Sequence, residues 1–234
     1  MPKETLQIAG RFCGPAGSAN GGYFCGRVAT LAAAGVTVRL LKPVPLETEL
    51  AVERANGLPQ VRDRDSVVAE ARPGGVGALG PPLRPSFDEA VDVARRYAGF
   101  GAHPAPRCFV CGPRRTRGDG LCIFSGAITT DIVAAPWQPD ASLDRGDGTV
   151  RDEFMWAALD CPGFAALAPD MRPMLLGELT AGIGRCARVD EPCTVVGWKI
   201  ASSGRKHEAG TAVLGRDAEL LATARAVWIE PRSS

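Results

Sequence analysis

The residues able to do chemistry in this chain of 234 residues fall in four places. The first is Asp160, within Phe154-Met155-Trp156-Ala157-Ala158-Leu159-Asp160-Cys161, where it is the only charge between Glu153 and Asp170. A carboxylate set in so apolar a run costs several kcal/mol to bury unless it is paired or hydrogen-bonded, so an acid here needs a reason. As a general base it would activate water, and as a nucleophile it would attack a carbonyl carbon. The plain alternative is an exposed acid in a last helical turn, just before the Pro162-Gly163 break.

The second place is Asn20-Gly21-Gly22-Tyr23, which opens an apolar segment reaching Gly35. Ser18 or Asn20 can cap a helix there by accepting a backbone N–H bond. Gly21 and Gly22, without side chains, would let a ligand approach the first-turn amides, a setting suited to an anion or a developing oxyanion. Gly35 is placed to close the helix. The third place is Cys108-Phe-Val-Cys111, with zinc-knuckle spacing but only His103 and Cys122 nearby. A zinc site needs four ligands, so structural thiols are the favoured reading and no metal is expected. The fourth is Arg205-Lys206-His207, which either binds phosphates or is a solvated basic turn; Arg114, Arg115 and Arg117 carry the same two readings. A Ser-His-Asp triad is disfavoured, because the two histidines, His103 and His207, accompany no serine in a nucleophile-elbow context.

The elements that must position these groups follow from periodicity. Residues 5–13 read as a first strand, followed by the buried helix. Residues 36–42, 47–56 and 60–72 read as strands, with Asn56-Gly57 as a turn. Residues 73–85 form a Gly/Pro-rich connector. Residues 86–97 form a short amphipathic helix with a Ser86/Glu89 capping box and a stripe of Phe87, Ala90, Val91 and Ala94. After a loop over 99–107 the plan repeats. Paired strands are expected at 120–125 and 128–135, then a polar loop, then a second apolar helix from Phe154 to Ala168 interrupted at Pro162-Gly163. Four strands close the chain at 175–186, 193–202, 207–214 and 220–230. One buried helix followed by consecutive antiparallel strands, twice over, is the pattern of a diverged duplication.

Composition bounds the function classes. The formal charge is +1 and 45% of residues are hydrophobic, which speaks for a folded globular chain and against disorder or a general nucleic-acid binder. No apolar run is long and charge-free enough to span a membrane, and Met1-Pro2-Lys3-Glu4-Thr5 does not open a signal-peptide core. The expectation is a cytoplasmic protein whose eight cysteines are mostly reduced.

Asn20-Gly-Gly-Tyr23 resembles the His-Gly-Gly that opens the central helix of hotdog acyl-CoA thioesterases of the phenylacetate-pathway type. Leu159-Asp160-Cys-Pro-Gly163 resembles their helical Asp segment. Cys108-Phe-Val-Cys-Gly112 with Gly118-Asp-Gly-Leu121 resembles a Cys-x-x-Cys-Gly…Gly-Leu opening in that family. Gly210-Thr-Ala-Val-Leu214 with residues 219–228 is similar to its closing hairpin. The resemblance implies an α+β double hotdog: two antiparallel sheets, each wrapped around a central apolar helix. The expected units are 1–98 and 108–234, joined by 99–107. No acid stands near Ala29, where the family's Asp would fall, and no glycines stand near Arg151 and Asp152. Each half keeps a different piece, so the implied site is composite, formed where the two helices run antiparallel.

The resemblance further implies hydrolysis of an acyl thioester of coenzyme A or of a carrier protein. Asp160 would activate water, the Gly22 and Tyr23 amides would hold the oxyanion, and Asn20 would position the substrate. The acyl chain would lie between the helices beside Gly21, Tyr23, Phe24, Met155 and Trp156. Arg205, Lys206 and His207 would meet the phosphates of coenzyme A or a phosphopantetheine arm. No further cofactor is implied. A homodimer, no nucleic acid and no membrane complete the expectation. A non-catalytic thioester binder and a hotdog hydratase or dehydratase are the alternatives; Asn20, in place of the family His, speaks against the latter.

Overall fold

The computed structural model describes residues 4–32 and 35–232. The expectations resting on Met1-Pro2-Lys3 and on Ala33-Ala34 fall outside them. In the first half, β1 (Glu4–Leu6) precedes α1 (Gly21–Ala29), and β2 (Val36–Leu40), β3 (Leu50–Ala55), β4 (Leu58–Asp63) and β5 (Ser66–Pro73) follow. A connector leads to α2 (Phe87–Ala94). The second half holds β6 (Gly126–Ala127), β7 (Ile132–Trp137), α3 (Asp152–Ala158) and α4 (Cys161–Leu167). β8 (Leu175–Ile183), β9 (Cys193–Ser203), β10 (Lys206–Leu214) and β11 (Leu220–Ile229) complete it.

Among the described residues the strands make one sheet, in the order β1-β3-β4-β5-β2-β8-β11-β10-β9-β7-β6. Outward from the β2/β8 seam the same order appears twice. The strand after the central helix comes first, then the last, third and second of that run, then a strand from before the helix. This corrects the expectation of two separate sheets. β2 and β8 pair antiparallel through Thr37↔Thr180, Val38↔Leu179 and Arg39↔Glu178. The physical reason is that each half would otherwise leave an unpaired edge of backbone donors and acceptors. The seam is reinforced by the Thr37 and Thr180 hydroxyls, 2.6 Å apart, and by Glu178 facing Arg39 and Arg72.

Several local expectations shift. The first strand is short, because residues 10–12 coil into a 3-10 turn. α1 ends at Ala29, with Thr30 as its last cap, so Gly35 does not close it and instead stands just before β2. The 60–72 stretch divides into β4 and β5 at Arg64, which takes φ 53°. Residues 121–125 are not a strand, and only Gly126–Ala127 pairs with β7. The α2 capping box forms as read, with Ser86 and Glu89 bonded reciprocally, while Ala90 and Val93 are its buried positions. Asn56 and Gly57 both take positive φ, as a two-residue hairpin turn requires.

The central helices lie on the sheet and against each other. α1 rests on β2, β4 and β8, and α4 rests on β7, β9 and β10. α1 also packs along α3, with Gly22 beside Asp160 and Gly26 beside Glu153, so the two helices run antiparallel. Trp137, Trp156 and Trp198 are core residues, each 6% exposed or less. No helix among the described residues is long and apolar enough to cross a membrane.

Candidate active site at the junction of the two central helices

Asn20 sets the start of α1. Its extended backbone precedes the helix, and its Oδ1 accepts the Tyr23 N–H at 2.8 Å. This is a side-chain cap of the kind the sequence specified. Asp160 comes from the other half. The α3 helix ends at Ala158 with Leu159 as its cap, and α4 begins at Cys161, so the break falls on Asp160 and not on Pro162-Gly163. Pro162 is tolerated because it sits in the first turn of α4, where its missing N–H has no intrahelical partner to lose.

The break turns Asp160 inward, where it is 2% exposed, so it is not a solvated terminal acid. Its Oδ2 accepts from Asn20 Nδ2 at 2.9 Å and from the Gly22 N–H at 2.9 Å. Its Oδ1 is buried without a hydrogen-bond partner. Burial pushes the carboxyl up to about 7, against the pull of the Gly22 amide and the Asn20 side chain; the Cys108 sulfur adds to the rise. Asn20, Gly22 and Asp160 are thus brought together as the sequence reading required.

The glycines serve a different purpose from the one expected. A Cβ on Gly22 would fall 2.4 Å from Asp160 Cβ and 2.8 Å from the Trp156 carbonyl oxygen. One on Gly26 would fall 2.6 Å from Glu153 Cα. One on Gly21 would fall 2.8 Å from Leu176 Cδ2. These glycines allow α1, α3 and β8 to touch, and do not bare the amides to a ligand. The Gly22 N–H is given to Asp160 and the Tyr23 N–H to Asn20, so the expected oxyanion pair is engaged within the protein.

The flanking residues are corrected for the same reason. Phe24 and Met155 are fully buried, and Tyr23 and Trp156 are 3% and 5% exposed. The helices meet directly where the acyl groove was placed. Tyr23 stacks on Phe12 with ring centroids 4.1 Å apart, in a cluster that includes Phe109 and Phe154. Arg205, Lys206 and His207 stand at the outer end of the β9–β10 hairpin. Arg205 donates to the Glu230 carbonyl, and His207 Nε2 lies 3.1 Å from Glu230 Oε1. β10 reaches the helix break through Thr211, whose hydroxyl donates to the Leu159 carbonyl at 2.7 Å. His207 is four residues further along the strand, about 13 Å at strand spacing. Arg115 is 9% exposed and bonded to Asp119 and to the Arg107 and Arg11 carbonyls, so it is structural.

One group escaped the sequence reading. Cys161, next to Asp160, stands with its sulfur 3.7 Å from that of Cys108. Asn20 Nδ2 lies 3.7 Å from Cys108 Sγ and 4.0 Å from Cys161 Sγ, so one amide faces both the carboxylate and the sulfurs. The signal available was a lone Cys beside the lone Asp, 50 residues beyond the Cys-x-x-Cys pair; nothing short-range links them. A cavity of about 520 Å³ opens at the other end of α3, lined by Arg145, Asp152, Arg185, Cys186 and Arg188 among others. It does not include Asp160.

The arrangement matches known structures in its fold. A tesB protein of Mycobacterium avium subsp. paratuberculosis aligns over 97% of this chain and 92% of its own, with a TM-score of 0.64 and 15% identity. A candidate thioesterase II of Thermobifida fusca YX aligns over 97% and 93%, with a TM-score of 0.61 and 14% identity. No family model matches the chain, and no curated protein sequence does. The chain therefore has the hotdog fold of thioesterase-type proteins. At such identities the likeness is one of architecture.

Proposed function

We propose that the chain is a fused pair of hotdog units, 1–98 and 108–234 with 99–107 between them, hydrolysing an acyl thioester of coenzyme A or of a carrier protein. The observation that carries this reading is the reach of Asp160 across the helix junction. Its Oδ2 is fixed at 2.9 Å by Asn20 and by the Gly22 amide, while Oδ1 is left buried and unpartnered. A carboxylate held by one oxygen presents the other in a defined direction, which is what proton removal from an attacking water needs. The positive end of α1 lies beside it and favours negative charge there. The fold shared with thioesterase-named proteins supports the reaction class. With Asp160 2% exposed, substrate reaches Oδ1 only when the walls around it part.

In this mechanism water attacks the thioester carbonyl carbon and gives its proton to Asp160. The tetrahedral intermediate collapses, and the proton passes to the departing thiolate sulfur, yielding a free acid and a free thiol. Asn20 keeps Asp160 oriented throughout.

The second reading is a non-catalytic thioester binder. It is favoured by the engagement of the Gly22 and Tyr23 amides, which leaves them unable to hold an oxyanion without rearrangement. Free-thiol release from a panel of acyl-CoAs, measured on the native protein and on Asp160→Asn, separates the two. Release that depends on Asp160 supports hydrolysis. Release equal in both proteins overturns the mechanism, and tight binding without release selects the binder.

A further inference from the structure

Three cysteines from distant parts of the chain converge beside the Asp160 junction. Cys108 and Cys111 come from the turn that opens the second half, and Cys161 is the first residue of α4. They are 4%, 4% and 6% exposed, and their sulfurs all lie within 4.8 Å of one another. Four ligands in a tetrahedron about 2.3 Å from a zinc ion stand about 3.8 Å apart. The Cys108–Cys161 separation of 3.7 Å has that length.

A tight turn and side-chain N–H donors surround the three sulfurs. The Cys-Phe-Val-Cys-Gly turn is tight: a Cβ on Gly112 would fall 2.5 Å from the Cys108 N atom and 2.6 Å from its carbonyl oxygen. The Asn20 amide faces Cys108 and Cys161. His103 Nε2 lies 3.4 Å from Cys111 Sγ, while its Nδ1 accepts the Ala105 N–H at 2.8 Å. With Nδ1 acting as acceptor, the neutral ring carries its proton on Nε2 and donates it to the Cys111 sulfur. N–H donors of this kind commonly surround metal-bound sulfur.

We propose that Cys108, Cys111 and Cys161 bind one zinc ion through three thiolates, with His103 and Asn20 donating to the sulfurs and a water completing the tetrahedron. Three soft sulfurs converging within 4.8 Å of one another suit zinc, and leave calcium or magnesium without their oxygen ligands. The ion ties the start of the second half to the α3–α4 break, and so holds the backbone that carries Asp160. It departs from the expectation of plain structural thiols, which weighed His103 and Cys122 as further ligands and did not consider Cys161. It does not depend on the thioesterase reading, since no substrate takes part.

The test uses the full chain, stripped of metal with a chelator under reducing conditions. Zinc should rebind at one ion per chain and raise the melting temperature. Cobalt should add at the same stoichiometry with an intense sulfur-to-metal charge-transfer band. Titrating the zinc protein with a mercurial should release the ion as three thiols react. Cys161→Ser and Cys108→Ser should lose the stoichiometric site, while Cys193→Ala, a buried cysteine of β9, should keep it. His103→Ala should keep one ion with affinity lowered about 10- to 100-fold. If the serine variants do not fold, the cobalt band and the mercurial count on the native chain decide alone. Zinc below a tenth of an equivalent with no cobalt band, or a Cys108–Cys161 disulfide in the metal-free protein under reducing conditions, overturns the proposal.

Discussion

Gly22 and Asp160, 138 residues apart in the chain, share a 2.9 Å hydrogen bond, and the space a Gly22 side chain would fill is occupied by Asp160 itself. The absence of one Cβ and the presence of one carboxylate are two sides of a single contact. Gly22→Ala should therefore destabilise the protein by about 1–3 kcal/mol, the usual cost of overpacking a filled core. The same change at Gly75, where a Cβ meets nothing within 4 Å, should leave stability within about 0.5 kcal/mol. Urea denaturation of the two variants checks the contrast, and equal effects would show that α1 and α3 are not in contact at Gly22.

Asn20 joins two functions that substitution can separate. It caps α1 through Tyr23 and orients Asp160 through Nδ2. Asn20→Ala removes both and should cost about 1–2 kcal/mol of stability from the lost cap. Asn20→Ser keeps a capping oxygen but cannot reach Asp160 as the longer amide does. It should hold stability near that of the native protein while acyl-CoA hydrolysis falls. Parallel melting and thiol-release measurements on both variants make the test.

Asp160→Asn retains the volume and the acceptor for Gly22 but removes the base. Thiol release should fall about 10²- to 10⁴-fold, the usual contribution of a positioned general base. The circular dichroism spectrum should be unchanged, which distinguishes lost chemistry from a lost fold.

The β2–β8 seam can be probed through its hydroxyl pair. Thr37→Val alone leaves the buried Thr180 hydroxyl without its 2.6 Å partner and should cost about 1–3 kcal/mol. The double variant with Thr180→Val leaves no orphan and should recover most of that loss. A double-mutant cycle by chemical denaturation measures the coupling, and strictly additive losses would argue against the pair.

Much of the architecture was legible because it is local. The Asn20 cap, the Ser86/Glu89 capping box, the Asn56-Gly57 turn and the last four strands follow from short-range residue patterns, and all appear. The 121–125 segment failed because its backbone bonds to a turn and not to a strand: the Leu121 N–H donates to the Phe109 carbonyl, and the Ile123 N–H to that of Val110. Apolar alternation cannot distinguish that from a strand. The helix break moved to Asp160 because Pro162 fits the opening turn of α4, and burial of a carboxylate against a partner helix is invisible to periodicity.

By itself the sequence determined that two apolar helices are each followed by antiparallel strands, that Ser18 or Asn20 begins one helix, and that Asp160 is the only charge between Glu153 and Asp170. It determined these because capping, alternation and the isolation of a charge are properties of a few neighbouring residues. Only the tertiary structure decided that the halves share one sheet, that Gly22 is a place for Asp160 and not for a ligand, and that Cys161 joins Cys108 and Cys111. Those depend on which surfaces meet. Contacts spanning 53 to 143 residues are set by the packing of whole helices and sheet edges, which no short stretch of chain encodes.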